Sequence, residues 1–377
     1  MKILSVVGAR PQFVKAAMLC LGVERHNRRA STGSRIDHIL VHTGQHYDAN
    51  LSGIFFEQLP LPEPQHWLGV GSGSHGVQTG AILERLEKVL LEERPVAVVV
   101  YGDTNSTLAG ALAAAKLQVP VAHIEAGLRS FNRAMPEEIN RIATDHVSDL
   151  LLCPTRTAVR NLKHEGITSG VHLSGDLMLD AVRHFRPLSR RRTLLNQLGL
   201  TSKQYALVTI HRAENTNSFE QLQFIVSVLS ELGIPAVFPM HPRLRDHLAA
   251  NAQFSALDAR LRAAKQLRII PPVSYLDMLQ LEDQSRLVLT DSGGVQKEAY
   301  FLSVPCVTLR GETEWLETLR GGWNRLSPGN PAKTLATVHK LWANNGVRPR
   351  RPPELAKFGG GRAVAHTLAA LRRHFAR

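Results

Sequence analysis

Three acids in this chain follow segments that would deliver them to one edge of a sheet. Asp103 comes two residues after the apolar run Ala97-Val98-Val99-Val100-Tyr101, Glu125 closes a second run at 119–124, and Glu137 stands just past Pro136 with Glu138 beside it. Short runs of β-branched residues that end in glycine and small polar residues read as buried parallel strands. In open α/β sheets, ligands bind outside the carboxyl ends of such strands. Carboxylates gathered in one crevice lose solvation and repel one another, which raises at least one pKa toward neutrality and suits it to accept and return a proton. The plainer readings are local: Asp103 as a turn residue, and Glu137 and Glu138 as charges that complement a helix N-terminus. Acids at two successive strand ends favour the chemical reading.

Other side chains have types suited to an anionic ligand. A first strand at 2–7 runs into Gly8-Ala9-Arg10-Pro11 and a helix start, where backbone amides attract anions and Arg10 and Lys15 add charge. The plain alternative is an exposed basic helix face. A strand at 36–42 ends in Thr43-Gly44-Gln45-His46, and His46 taken alone reads as a core imidazole. The stretch 69–76 reads as a flexible glycine and serine loop before a helix at 77–93. In the second half, a strand at 205–210 ends at His211-Arg212, one at 234–240 at His241-Pro242, and one at 286–290 at Asp291-Ser292-Gly293-Gly294. The Ser-Gly-Gly turn exposes successive amides at a helix start, a cradle for a diphosphate, and Glu298 one turn later is placed to accept ribose hydroxyls. A histidine at a strand end, such as His211, suits acid–base work or phosphate contact.

These elements need a large scaffold. At 377 residues the chain exceeds what one core normally supports, so two α/β domains are expected, with a boundary near 182–192 where proline and arginines break the pattern. Further strands are expected at 149–154, 171–176, 267–270 and 305–309, and a closing helix at 361–377. The formal charge of +13 points to an anionic partner, but the arginines at 190–192, 348–351 and 372–373 carry no interleaved aromatics, which argues against nucleic acid. The three cysteines are far apart in apolar surroundings and read as reduced core residues; no metal-ligand spacing is visible. No apolar run reaches the length of a membrane span, so a cytoplasmic protein is expected.

Taken together, Gly8-Ala9-Arg10-Pro11, Thr43-Gly44-Gln45-His46, Gly102-Asp103-Thr104, His123-Ile124-Glu125-Ala126-Gly127-Leu128-Arg129, Pro136-Glu137-Glu138, His211-Arg212, His241-Pro242 and Asp291-Ser292-Gly293-Gly294-Val295-Gln296-Lys297-Glu298 give a chain that resembles the non-hydrolysing UDP-N-acetylglucosamine 2-epimerases nearly end to end. The resemblance implies an α/β fold of GT-B architecture, two Rossmann-like domains facing a central cleft: residues 1–182 with the catalytic carboxylates, 183–360 binding UDP, and a 361–377 helix packing back on the first. It implies a homodimer, no cofactor and no metal. It carries Lys15, Asp103, Glu125, Glu137 and His211 into the catalytic set, and Arg10, Gln45, His46, His241, Ser292, Gly293, Gly294 and Glu298 into the substrate and UDP site. The implied reaction inverts C2 by elimination of UDP, a 2-acetamidoglucal intermediate and re-addition. Three departures bear on the substrate: Thr313-Glu314-Trp315-Leu316-Glu317 where many members read Thr-Glu-Arg-Pro-Glu, Ala213 where they often carry His-Arg-Arg-Glu, and Gly71-Ser72-Gly73-Ser74-His75 in the regulatory loop. These look similar to a branch acting on UDP-2,3-diacetamido-2,3-dideoxyglucuronate, the near alternative to UDP-N-acetylglucosamine; a glycosyltransferase or a hydrolysing epimerase is more distant.

Overall fold

The structure is a computed structural model that describes residues 1–45, 59–212, 215–216, 218–250, 252–327, 329–343 and 353–376. It divides into two compact units, one formed by Met1–Ala181 with Leu355–Arg377 and the other by Val182–Glu354.

The first unit is a seven-stranded parallel sheet in the order β3-β2-β1-β4-β5-β6-β7. Its strands are β1 (Lys2–Val7), β2 (Asp37–His42), β3 (His66–Trp67), β4 (Ala97–Tyr101), β5 (Val121–Ile124), β6 (Leu150–Cys153) and β7 (Val171–Leu173). Every residue of β4, β5 and β6 is buried, as strands enclosed on both faces require. Helices α1 (Arg10–Asn27), α2 (His75–Glu93), α3 (Asn105–Lys116), α4 (Pro136–His146), α5 (Arg156–His164) and α6 (Leu177–Ser189) follow in turn. The strand order reverses between β1 and β4, so the loops leaving those two strands diverge and open a crevice at their carboxyl ends.

Two expectations are corrected here. The glycine and serine loop ends sooner than 76, because Ser74 is the N-cap of α2 and His75 and Gly76 already belong to the helix. The interruption expected at 182–192 is largely helical: α6 runs through Val182 and carries Pro187 inside it, at the cost of one backbone hydrogen bond two residues before the helix ends at Ser189. The break between the two units therefore falls inside α6 and not in a linker.

The second unit is a six-stranded parallel sheet in the order β10-β9-β8-β11-β12-β13. It comprises β8 (Ala206–Thr209), β9 (Ala236–Pro239), β10 (Leu267–Ile270), β11 (Leu287–Thr290), β12 (Cys306–Thr308) and β13 (Asn324–Leu326). Between them lie α7 (Leu194–Gln197), α8 (Phe219–Ser230), α9 (Pro242–Ala250), α10 (Ser255–Arg262), α11 (Tyr275–Gln284), α12 (Gly293–Phe301), α13 (Leu316–Leu319) and α14 (Pro331–Ala343). Its order reverses between β8 and β11. Leu222, Ile225, Leu229, Phe238, Leu244 and Leu289 are central to one continuous apolar core that joins α8 and α9 to the sheet. All three cysteines are free thiols, and among the described residues no helix is long and apolar enough to cross a membrane.

The closing helix α15 (Ala363–Phe375) belongs to the first unit, after a 3-10 stretch at Leu355–Gly361. It packs on α1, where a methyl group added at Gly22 would sit 2.4 Å from Val364 Cγ1 and 2.9 Å from Leu368 Cδ1. By contrast, Gly80 on α2 is exposed, with nothing within 4 Å of an added methyl. Gly22→Val is therefore expected to destabilise the fold by about 1–3 kcal/mol through overpacking. Gly80→Ala is expected to stabilise it by roughly 0.5–1 kcal/mol through helix propensity. Urea midpoints of the two variants should move in opposite directions, and a Gly22→Val midpoint at or above that of the unmodified protein would contradict the packing described.

Candidate active site

In the first unit the candidate residues collect at the carboxyl ends of β1, β2, β4 and β5, around the point of order reversal. Gln12 holds that edge together. Its Oε1 accepts from the Gly8 and Ala9 amides at 2.8 and 3.0 Å, closing the first turn of α1, while its Nε2 donates across the crevice to the Tyr101 carbonyl at 2.8 Å and to the Thr104 and Thr107 hydroxyls at 2.9 Å each. Thr104 caps α3, accepting from the Thr107 amide. Gly8 is required by close approach, since a methyl there would meet Thr43 Oγ1 at 2.1 Å and Ser106 Oγ at 2.2 Å.

Lys15 is not on an exposed face. It is buried and forms an ion pair with Glu125, which is itself nearly enclosed. Glu125 occupies the left-handed region at φ +78, unusual for a residue with a side chain, and its amide and that of Ala126 both donate to the Leu152 carbonyl. Gly102, at φ +66, lies against this pair: a methyl on it would be 3.4 Å from Glu125 Oε2 and 3.6 Å from Lys15 Nζ. The next residue, Asp103, is about one-third exposed and accepts from Arg141 Nη2 at 2.5 Å. Arg141 also pairs with Glu138. Acids left to repel one another were expected at this edge; the structure instead interleaves them with cations, Lys15 on Glu125 and Arg141 between Asp103 and Glu138, because the buried charges of Lys15, Glu125, Arg141 and Glu138 require partners.

Glu137 is half-buried in the first turn of α4, while Glu138 is fully buried and structural. The Glu138 carboxylate accepts from the Ser130 and Phe131 amides and from the Ser130 hydroxyl, each at 2.9 Å, and so ties down the loop before α4. Arg10 opens α1 and is half-buried. Gln45 uses its Oε1 to accept from the Ser106 amide at 3.0 Å and hydroxyl at 2.6 Å, at the start of α3. His46 lies outside the described residues.

Behind this edge sits a second group that sequence reasoning passed over. Asp145, on α4, is wholly buried and accepts from His123 Nδ1 at 2.7 Å, Arg129 Nη1 at 2.7 Å and the Gly127 amide at 3.0 Å. Burial works to raise its pKa, but hydrogen bonding and charge from His123 and Arg129 outweigh it and hold the carboxyl below the usual range. Arg129 in turn donates through Nε and Nη2 to Glu165 at 2.6 and 2.7 Å.

In the second unit the corresponding edge is held by Asp291. Fully buried at the end of β11, it accepts from the His211 and Arg212 amides at 3.2 and 3.0 Å and from Asn215 Nδ2 at 3.0 Å, joining the turns after β8 and β11. The His211 ring is about half exposed, with Nδ1 3.7 Å from Asp291 Oδ1. His241 follows β9 and is half-buried. Ser292 caps α12, accepting from the Val295 amide, and Gly293 and Gly294 form the first positions of the helix. Both glycines have ordinary helical backbone, so their value is access: a methyl at Gly293 would be 3.4 Å from Trp315 Nε1 and 3.6 Å from Glu314 Oε2. Lys297 is buried with Nζ 3.6 Å from the centre of the Trp315 ring, a cation–π contact one turn from the cradle. Glu298 is buried. Its charge reaches Glu282, whose carboxyl is fully enclosed, has no hydrogen-bond partner among the described residues, and is pushed well above the usual range by burial, then by Glu298 and Asp283. Nothing in the sequence around Glu282 signals that environment.

The family model described as UDP-N-acetylglucosamine 2-epimerase matches residues 28–372. A UDP-N-acetylglucosamine 2-epimerase homolog of Methanococcus maripaludis is 46% identical over 374 residues, covering 99% of each chain. The UDP-2,3-diacetamido-2,3-dideoxy-D-glucuronate 2-epimerase of Pseudomonas aeruginosa is 50% identical over 333 residues, covering 86% of this chain and 88% of that one. Among solved structures, Methanocaldococcus jannaschii UDP-GlcNAc 2-epimerase in complex with UDP-GlcNAc and UDP is similar with a TM-score of 0.89 at 41% identity, covering 99% of this chain and 100% of that chain.

The Asp145 carboxyl yields a test of the buried network. Because its native pKa is depressed, it stabilises the fold fully above the unfolded value of about 3.9, and that contribution is lost as pH falls through the native value. Asp145→Asn is expected to cost about 3–5 kcal/mol at pH 7, since Arg129 and His123 lose a buried counter-charge. The gap between the two proteins in urea titrations should narrow below about pH 4. A gap independent of pH would contradict the assignment.

Proposed function

The chain belongs to the UDP-N-acetylglucosamine 2-epimerase family and is an epimerase with a GT-B-like two-domain fold. From that premise we propose that it inverts C2 of a UDP-linked 2-acetamido sugar, most simply interconverting UDP-N-acetylglucosamine and UDP-N-acetylmannosamine as a precursor step for surface polysaccharide. One observation carries the reading of the site: the buried Lys15–Glu125 pair lies against Gly102, directly before Asp103, at the sheet edge where the strand order reverses.

The C2 proton is weakly acidic, so its removal is coupled to departure of UDP from C1. The electrons of the C2–H bond form a C1=C2 double bond as the C1–O bond breaks, leaving a 2-acetamidoglucal and UDP. A phosphate oxygen of UDP then adds back to C1 while a proton reaches the other face of C2. Atoms and electrons balance with no redox cofactor. The acid and the base are drawn from the three carboxylates Asp103, Glu125 and Glu137, with Lys15 and His211 supplying charge and a further proton-handling group. Arg10, Gln45, His46, His241 and the Ser292-Gly293-Gly294 turn contact the substrate and its diphosphate, and Glu298 takes the ribose hydroxyls. The same reading carries a homodimer working in the cytoplasm.

A second substrate is favoured by the 50% identity to the P. aeruginosa enzyme: UDP-2,3-diacetamido-2,3-dideoxyglucuronate. Offering each nucleotide sugar to the purified protein in heavy water separates them. The expected result is one epimerised product carrying deuterium at C2, and deuterium in neither product would overturn the proposed chemistry. Phosphorus NMR showing free UDP building up with free sugar would instead mark a hydrolysing enzyme.

Asp103→Asn, Glu125→Gln and Glu137→Gln are each expected to lower kcat by about 100-fold or more while UDP affinity, measured by calorimetry, stays within about threefold. A variant with near-normal kcat removes that residue from the set. Ser292→Ala and Glu298→Ala should do the reverse, weakening UDP binding first.

A further inference from the structure

One enclosed histidine in the first unit takes no part in the chemistry above yet touches the backbone that carries it. His123, on β5, is fully buried, and acceptors face both of its ring nitrogens: Asp145 Oδ1 lies 2.7 Å from Nδ1, and the Gly102 carbonyl oxygen lies 2.7 Å from Nε2. A neutral imidazole donates from one nitrogen only. With a carboxylate on one side and a carbonyl on the other, the ring carries a proton on each nitrogen, and Asp145 provides the compensating charge.

The Gly102 carbonyl belongs to the same peptide plane as the Asp103 amide. Gly102 sits at φ +66 and donates to the Ile124 carbonyl at 3.0 Å, and Asp103 is held from beyond by Asn140 Nδ2 on its own carbonyl at 2.9 Å and by Arg141 on its carboxylate, so His123 supplies the hydrogen bond at the remaining point, the oxygen of the 102–103 peptide itself. Glu125 Oε2 and Lys15 Nζ also stand against Gly102, 3.4 and 3.6 Å from where a methyl on it would be. Beyond Asp145, the charged and titratable groups around the ring are Arg129 with its partner Glu165, and the buried thiol of Cys153 on β6, pushed up by burial and then by Asp145.

We propose that His123, held as an imidazolium by Asp145, is a positioning residue for the reaction: it locks the 102–103 peptide and thereby sets where Asp103 stands relative to Glu125. This rests on the reading of Asp103 and Glu125 as reacting carboxylates.

Two amide substitutions divide the role. His123→Asn keeps a group near Nδ1 for Asp145 and abandons Gly102; His123→Gln extends a donor toward the Gly102 carbonyl. For His123→Asn, kcat is expected to fall at least roughly 30-fold with KM within about threefold, and for His123→Gln to recover to within about fivefold of the unmodified enzyme. A His123→Asn enzyme within twofold of normal, or equal losses in both variants, would overturn the proposal. A reading independent of how the variants fold comes from nitrogen-15 NMR of the histidine-labelled unmodified protein at neutral pH, with the His123 signals assigned by their loss in His123→Gln. Protons on both nitrogens are expected, and a bare ring nitrogen at His123 would overturn the assignment. Asp103→Asn and Glu125→Gln measured alongside keep the two ideas apart: normal turnover in those variants defeats the acid assignment, whereas the NMR result bears on His123 alone.

Discussion

The Asp145 carboxylate, sealed from solvent, accepts from the His123 ring, the Arg129 guanidinium and the Gly127 amide, and the loop that leaves β5 is shaped around it. That loop contains two departures from ordinary backbone on either side of Ala126, Glu125 at φ +78 and Gly127 at φ +79. Gly127 approaches the Ala158 carbonyl so closely that a methyl would come within 2.5 Å of it. Such geometry persists only where the surroundings over-determine it. A buried charge does this well, because every donor that withdraws leaves several kcal/mol of uncompensated desolvation. Through that arrangement Glu125 reaches Lys15, and through His123 the same charge reaches the turn that bears Asp103.

Each unit solves the order reversal of its sheet in a related way. Where the loops of two adjacent strands part, a buried polar side chain spans the opening: Gln12 between the turns after β1 and β4, Asp291 between those after β8 and β11. Gln12 meets amides on one side and a carbonyl with two hydroxyls on the other, which suits a neutral amide carrying both donors and acceptors. Asp291 meets donors only, which suits an anion. Each leaves the edge of its sheet rigid, and a rigid edge is where acids or a phosphate-binding turn can be held to useful tolerance.

Much of this was legible before the structure. The strands at Lys2–Val7 and Ala97–Tyr101 stand where largely apolar runs put them, because a strand buried on both faces admits little else, and Leu267–Ile270 keeps its expected bounds as an edge strand with Arg268 exposed. Their neighbours were read too long: Tyr205 and Ile210 flank β8, buried yet outside the ladder, so burial and strand pairing part company there. His66–Trp67 and Asn324–Leu326 are too short and too mixed to announce themselves. That Asp103 and Glu125 follow strands is visible in the chain; that Arg141 and Lys15 neutralise them is not, since folding alone joins the two pairs, whose members stand 38 and 110 positions apart. Local sequence also misassigns Glu138, whose place in a helix's first turn suggests a dipole partner while its carboxylate serves the 130–131 backbone. Glu282 gives no local warning at all, its surroundings being assembled from α11 and α12.

The order in which the chain builds its units has a kinetic meaning. The second unit is one continuous segment, whereas the first is closed by Leu355–Arg377, which is made after all of the second, with α15 seated on α1 and Gly359 pressed against Gly175. A ribosome releases the amino-terminal sheet well before the helix that covers α1 exists. During that interval the Gly22 face of α1, made smooth to receive Val364 and Leu368, is bare. The newborn enzyme thus carries an unfinished half through the synthesis of its other half, and its dependence on chaperones should be greatest then.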